Sequence, residues 1–357
     1  MANVLVIAEI GINHNGEIEV AKKLVDAAVG AGANVVKFQT FRTNDLVTDE
    51  APAASYQKQN MPRVTTQKEI LSKVELSYSE HEELSLYANS VGIDYMSTAF
   101  DVQSLQFIDK SICPTALKIS SGDLTNGPFL LEHARTNRRI ILSTGMADIQ
   151  EIDQALSVLA YGYLTKETPK NMEEINALYK TDSGQAILKE NVCLLHCVTE
   201  YPAPVSEVNL LAIQTMSRNF GLSVGYSDHT QGIWAAPVAV ALGADVIEKH
   251  ITLDRLGDGP DHLASLEPDE FSRMINSIRL VETMLGDGTK RPQNSELKNR
   301  DIARRSLMAR QGIACGEEFS SANIVIKRPG KGRSPMDYWD LLDQVSETNI
   351  SANDLIP

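Results

Sequence analysis

The sequence predicts an α/β protein, a (β/α)8 TIM barrel followed by a small C-terminal domain. Three observations carry that prediction. The chain has 357 residues, and single hydrophobic cores stop growing near roughly 250–300, so one large domain plus a small one fits the length. Eight short β-branched runs alternate with amphipathic helical stretches, the pattern of an all-parallel sheet. Eight such units over roughly 285 residues suit a closed barrel better than an open doubly wound sheet, and no GxGxxG fingerprint follows the first run.

The expected strands are residues 4–10, 35–40, 94–100, 115–120, 139–144, 192–198, 222–227 and 245–251. Between them the helical period appears at 17–31, where Ile18, Ala21, Leu24, Val25 and Ala28 share a face, and again at 79–90, 149–160, 209–219 and 232–242. Gly32, Gly92 and Gly243 stand where helix C-caps are needed. Residues 42–74 and 161–190 exceed ordinary loop lengths, and in a compact barrel such insertions serve as lids or packing decorations. Residues 267–285 read as the last barrel helix. The barrel then covers 1–285, a polar stretch rich in turn formers at 286–300 reads as a linker, and 301–357 forms a small, mostly irregular β-rich domain. So small a module is marginal alone and needs another surface to pack on.

Composition excludes some functions. Lys and Arg total 33 against 47 Asp and Glu, a formal charge of −14, which argues against a nucleic-acid binder. An anionic small molecule stays open, because local cations set the field inside a cleft. The first residues, MANVLVIAEIG, lack the basic and long apolar regions of a signal peptide. No apolar run approaches the roughly 20 residues that cross a bilayer. A cytoplasmic protein without membrane contact is therefore expected. The cysteines are Cys113, Cys193, Cys197 and Cys315. Alternation places Cys193 and Cys197 on one strand face, but there is no second pair to complete a metal site. Buried or inert thiols are the expectation.

Barrel enzymes build their sites at the C-terminal ends of the strands. Here those ends carry Glu9, Lys37 and Gln39, Ser97 and Thr98, Lys118 with Ser120 and Ser121, Ser143 and Thr144, His196, Ser227 with Asp228 and His229, and Glu248 with His250. Any barrel has polar strand ends, since ends meet water. Placing Lys, Glu and His within the apolar runs is different, because burial there costs several kcal/mol unless the charge is compensated. Lys37 and Lys118 read either as structural ion pairs or as a clamp for phosphate or carboxylate, helped by Thr98, Ser121, Ser143 and Ser227. His229 and His250 close neighbouring strands, spaced about 4.8 Å apart. Each alone reads as a structural histidine. Together, with Glu248 and Asp228 beside them, they read as ligands of a divalent ion, Mn2+ or Mg2+.

The motifs IAEIGINHNG (7–16), VKFQT (36–40), STAF (97–100), KISSGDLTN (118–126), ILSTGM (141–146), LLHCVTEYPAP (194–204), GYSDHT (225–230), IEKHITLDR (247–255), GPDHLASLEPDE (259–270), RRSL (304–307) and KRPGKG (327–332) resemble, in order and nearly end to end, the bacterial sialic acid synthases. That family comprises N-acetylneuraminate synthase and its legionaminic and pseudaminic acid relatives. The resemblance implies that the C-terminal domain is an antifreeze-like (SAF, β-clip) module, which in a domain-swapped homodimer covers the partner's active site. It implies condensation of phosphoenolpyruvate with an N-acyl amino sugar in its open-chain aldehyde form, N-acetylmannosamine in the first instance. A 2,4-diacetamido hexose is the alternative. Lys37, Thr98, Lys118, Ser121, Ser143 and Ser227 would hold phosphoenolpyruvate. His229 and His250 would hold the metal, and Gln39, Asp123, Tyr201, Asp261 and Arg328 would face the sugar. Glu9 and Glu248 would be the catalytic acid and base. Asp123 departs from the glutamate that many members carry there. Two other readings compete. One is a different phosphoenolpyruvate-condensing synthase, whose phosphorylated substrate would want a second basic cluster. The other is a non-catalytic carbohydrate- or ice-binding protein, which would not need the buried lysines and histidines.

Overall fold

Eight parallel strands close on themselves in sequence order in the computed structural model of this chain, which describes residues 3–61 and 63–357. They are β1 (Leu5–Gly11), β2 (Val35–Thr40), β3 (Asp94–Ala99), β4 (Ala116–Ile119), β5 (Arg139–Ser143), β6 (Val192–Cys197), β7 (Ser223–Asp228) and β8 (Val246–His250). Each lies within a residue or two of its expected span. The chain divides into two compact units at Gly286.

Strand alternation sorts the first unit into layers. Outward residues such as Val6, Ala8, Val36, Phe38, Leu142, Val224 and Ile247 join the helices in the main core. The helix Ile18–Ala31 contributes Ala21, Leu24, Val25 and Ala28 to it, as its period requires, and ends at Gly32. Inward residues Ile7, Val35, Met96, Ala116, Ile141, Leu195 and Val246 form a separate apolar plug. Two residues further along each strand the interior turns polar, and everything the site needs stands on that plug.

The long insertions are helical. Residues 42–74 contain the helices Thr43–Leu46, Ser55–Asn60 and Gln67–Val74, and the helix Ile149–Leu164 runs four residues past its expected end at 160. Met172–Tyr179 and Asp182–Asn191 follow it, burying Ile175 and Leu188. The stretch expected as a linker, 286–300, runs into a helix, Asn294–Ala303, opened by a capping box between Gln293 and Glu296. It buries no residue, so it has no apolar stripe for a periodicity argument to detect. In the second unit, β9 (Ser306–Ala309) and β10 (Ile324–Lys327) pair antiparallel. They enclose a small core of Leu307, Ala309, Ile313, Phe319, Ile324, Leu341, Ile350 and Ile356. Among the described residues no helix is long and apolar enough to cross a membrane.

Gly225 tests the packing of the plug. A Cβ there would lie 2.4 Å from the Val246 carbonyl oxygen and 2.6 Å from Leu195 Cδ2. Backbone cannot give way as a side-chain tip can, so Gly225→Ala should destabilise the barrel by about 1–3 kcal/mol, the cost of overpacking. Urea unfolding reads this as a lower midpoint, and a midpoint equal to the parent's would contradict the contact.

Candidate active site

Above the plug lies one buried ring of inward residues: Glu9, Lys37, Thr98, Lys118, Ser143, Cys197, Ser227 and Glu248. Two lysines and two glutamates thus share one buried space. Lys37 Nζ lies 2.7 Å from Glu9 Oε2 and 3.8 Å from Glu248 Oε2, and it donates to Thr98 Oγ1 at 3.1 Å. Lys118 Nζ donates to Ser143 Oγ at 2.7 Å and stands 3.9 Å from Glu248 Oε1. Ser227 Oγ donates to the same Oε1 at 2.8 Å.

The two carboxyl groups are driven apart. Burial, reinforced by the Glu248 charge, raises Glu9 to about 7 despite the pull of Lys37. Burial also disfavours ionised Glu248, but Lys118, Lys37 and the Ser227 hydroxyl outweigh it and hold that group below its usual range. Burial lowers Lys118, while Lys37 is held above its ordinary value because Glu248 and Glu9 more than offset its desolvation. Two lysines with hydroxyls around them, in so low a dielectric, can receive a small polyanion.

The imidazoles of His229 and His250 sit at the mouth with ring centroids 5.7 Å apart. The Val198 carbonyl fixes His229 Nδ1 at 2.6 Å, which leaves Nε2, 3.3 Å from Ser227 Oγ, facing the ring. Burial lowers His229 to about 4 and takes His250 well below its ordinary value, so both are neutral and able to donate a lone pair. His250 Nδ1 and Glu248 Oε2 are buried without a hydrogen-bond partner. Such orphaned atoms suit a cation that completes their coordination. No cluster of three or more His, Cys, Asp or Glu able to hold a metal forms among the described residues. An ion here would therefore take oxygen from a substrate or water for most of its shell, as Mn2+ and Mg2+ do and structural zinc does not.

The remaining predicted residues fall in three places. Ser121 joins the ring from above: its Oγ accepts from Gly145 N at 2.9 Å and touches Cys197 Sγ at 3.3 Å. Gly145 makes that approach possible, since a Cβ on it would lie 2.9 Å from Ser121 Oγ and 3.0 Å from Cys197 Sγ, and only 2.2 Å from Thr199 Oγ1. Gln39, Tyr201 and Asp261 line the mouth. Gln39 Nε2 reaches Glu9 Oε1 at 3.4 Å, the Tyr201 ring lies 4.1 Å from that of His229, and burial raises the Asp261 carboxyl to about 7. Asp123 is half-buried with its carboxylate engaged in its own turn by Ser120 and Asn126, at 3.0 and 3.2 Å. Arg328 is exposed in the second unit.

Two expectations about neighbours are corrected. Asp228 faces away from the imidazoles, out of the barrel, and pairs with Lys249 there at 3.1 Å. His196 also points outward and bonds the Val208 carbonyl at 2.7 Å. In both cases alternation from Ser227 and Cys197 decides the side. Of the cysteines, all free, Cys193 and Cys197 line the interior while Cys113 and Cys315 are exposed. The sequence reading missed Tyr56, whose ring lies 5.0 Å from that of Tyr201 at a tilt of 33°, and Asn60, which donates to the Pro260 and Tyr201 carbonyls at 2.6 and 3.3 Å. It also missed Thr199, whose hydroxyl is buried and unpartnered beside Gly145. Tyr56 and Asn60 stand in a long insertion without periodicity. Thr199 shows itself only through contacts made in three dimensions.

Known proteins share this arrangement of sequence and fold. A sequence signature described as the NeuB family matches residues 24–290. The chain is 42% identical over 356 residues to the N,N'-diacetyllegionaminic acid synthase of Campylobacter jejuni, covering all of this chain and 99% of that one. It is 42% identical to the enzyme of the same name from Legionella pneumophila, over 97% of this chain and 91% of the other. Among solved structures, the N-acetylneuraminic acid synthetase of Leptospira borgpetersenii superposes with a TM-score of 0.66 at 30% identity, covering 83% of this chain and 90% of that one. The chain belongs to the NeuB family, whose relatives here are sugar-acid synthases.

Proposed function

We propose that this enzyme joins phosphoenolpyruvate to the open-chain aldehyde of an N-acyl amino sugar, with release of phosphate and dependence on a divalent metal. The observation that carries the proposal is the buried ring, in which Lys37 and Lys118, with four hydroxyls about them, lie beneath two neutral imidazoles. The lysines with Thr98, Ser121, Ser143 and Ser227 hold the phosphate and carboxylate of phosphoenolpyruvate. Carbon 3 of that substrate bonds to the aldehyde carbon, whose oxygen takes a proton. Water adds at carbon 2, and the carbon–oxygen bond to phosphate then breaks, leaving a ketone. Glu9 and Glu248, the only carboxyl groups in the ring, are the acid and base for the proton on the aldehyde oxygen and the proton lost from water. His229 and His250 would hold a divalent ion, Mn2+ or Mg2+, which would supply Lewis-acid polarisation for the aldehyde oxygen. Gln39, Asp123, Tyr201 and Asp261 orient the sugar.

For the sugar itself, identity of 42% to two N,N'-diacetyllegionaminic acid synthases favours a 2,4-diacetamido hexose over N-acetylmannosamine. We extend the proposal to assembly: a domain-swapped homodimer in which the C-terminal unit, an antifreeze-like SAF module, carries Arg328 to the N-acyl group bound by its partner. Exposed apolar side chains on successive loops after β5 to β8, namely Met146, Val205, Leu211, Trp234 and Leu256, support a covered barrel mouth.

Phosphate release, measured with each sugar and with or without EDTA, tests the proposal. Release should require both substrates, stop with EDTA and return with Mn2+, and should be faster with the diacetamido hexose. No release with any hexosamine in the presence of metal would sink it. His250→Ala should abolish turnover while circular dichroism stays that of the parent; an active variant would remove the ligand role. Arg328→Ala should raise the KM for sugar at least tenfold more than that for phosphoenolpyruvate, the scale of about 1.4 kcal/mol in binding. Equal effects on both would refute its assignment.

A further inference from the structure

The outward faces of β7 and β8 are apolar at Val224, Tyr226 and Ile247, as is Ile251 just past β8. Asp228 and Lys249 interrupt them, each 0% exposed. A buried ion pair seldom stabilises a fold better than apolar side chains of like volume. Its particular yield is direction, so its partners show what it does.

Asp228 and Lys249 are register partners, with Nζ 3.1 Å from Oδ2. Asp228 Oδ1 accepts from Thr230 N at 2.9 Å and from Thr230 Oγ1 at 2.7 Å, and Lys249 Nζ donates to the Thr230 carbonyl. The pair thus holds all three polar groups of Thr230. His229 lies between Asp228 and Thr230, both anchored. Its own carbonyl accepts from Ala203 N at 2.9 Å, and its Nδ1 is fixed on the Val198 carbonyl. On β8, Lys249 stands between Glu248 and His250, which alternation turns inward.

We propose that the Asp228–Lys249 pair is a positioning clamp, which locks β7 to β8 at the level of His229 and His250 and so sets the spacing of the two imidazoles for a divalent cation. The proposal rests on the metal reading given above. Groups that orient metal ligands typically alter affinity by 10- to 100-fold when removed.

The test is direct Mn2+ binding, with free Mn2+ followed by electron paramagnetic resonance, alongside melting of the metal-free protein. The double variant Asp228→Asn/Lys249→Met keeps volume, removes both charges together and deprives the Thr230 carbonyl of its donor. It should bind Mn2+ at least tenfold more weakly than the parent at a temperature where the metal-free protein remains folded, with an unchanged KM for phosphoenolpyruvate at saturating Mn2+. Parental Mn2+ affinity in the double variant, whether or not its melting temperature falls, overturns the clamp. Thr230→Val removes a single hydrogen bond and should weaken Mn2+ binding by a smaller factor. Should the double variant not fold, this second one decides, and unchanged affinity in it overturns the clamp. The metal reading fails separately: the parent would then bind no Mn2+, or His250→Ala would bind it as tightly as the parent. A parent that binds, a His250→Ala that does not and a double variant equal to the parent would reject the clamp alone.

Discussion

Two lysines and two glutamates buried in one layer of the barrel are the constraint on which the rest of the structure depends. None of the four could be buried alone, since an uncompensated charge in that medium would neutralise or draw in water. They are held together by strand register: Glu9 faces Lys37 across β1 and β2, and Ser227 faces Glu248 across β7 and β8. The apolar plug one layer below keeps water from reaching the ring through the barrel. Register in turn is fixed because a slip by one residue would turn these charges into the apolar core against the helices. Chemistry and fold are therefore specified by the same alternation.

The ring was legible in the sequence for that reason. A lysine inside VVKFQT or ALKI breaks a hydrophobic run where a strand must be buried on both faces, and only an inward, compensated position resolves the conflict. Eight repetitions of the strand–helix period likewise made the barrel legible. For Asp228 the motif misleads: GYSDHT reads as three polar groups in succession, yet consecutive strand residues cannot share a face. The helix Asn294–Ala303 escaped because a fully exposed helix carries no apolar stripe. Tyr56 and Asn60 escaped because a chain that crosses the mouth from a long insertion leaves no local periodicity. What the sequence hides is what depends on distant segments meeting.

Across the ring the charges nearly cancel, and this bears on how a polyanion enters. Lys37 and Lys118 both lie within 4 Å of Glu248, and Lys37 also holds Glu9. A ligand bearing phosphate and carboxylate must compete with these carboxylates for the ammonium groups. The competition is eased at Glu9, which burial has already brought to about 7 and which can give up its charge near neutrality. Glu248 is the more firmly ionised, and its free Oε2 points to what remains unsatisfied when the ring stands alone. A cation at the neighbouring imidazoles would restore the attraction that the added anion has to overcome.

Under the proposed function, cation and anion sites would be interdependent, and residues assigned to each lie side by side. Ser227 bonds Glu248 at 2.8 Å and reaches His229 at 3.3 Å, so one hydroxyl on β7 touches both the charged ring and the imidazole above it. Behind that hydroxyl, one residue along the strand and on its other face, Asp228 binds Lys249 and Thr230. The two faces of β7 thus divide the work. The inward face presents the groups assigned to the ligands, and the outward face carries an ion pair and hydrogen bonds made within the protein itself. A barrel can leave orphaned donors and acceptors at its mouth only if the backbone beneath them is held by something other than the ligand. In β7 and β8 that support comes from charges buried on the side away from the chemistry.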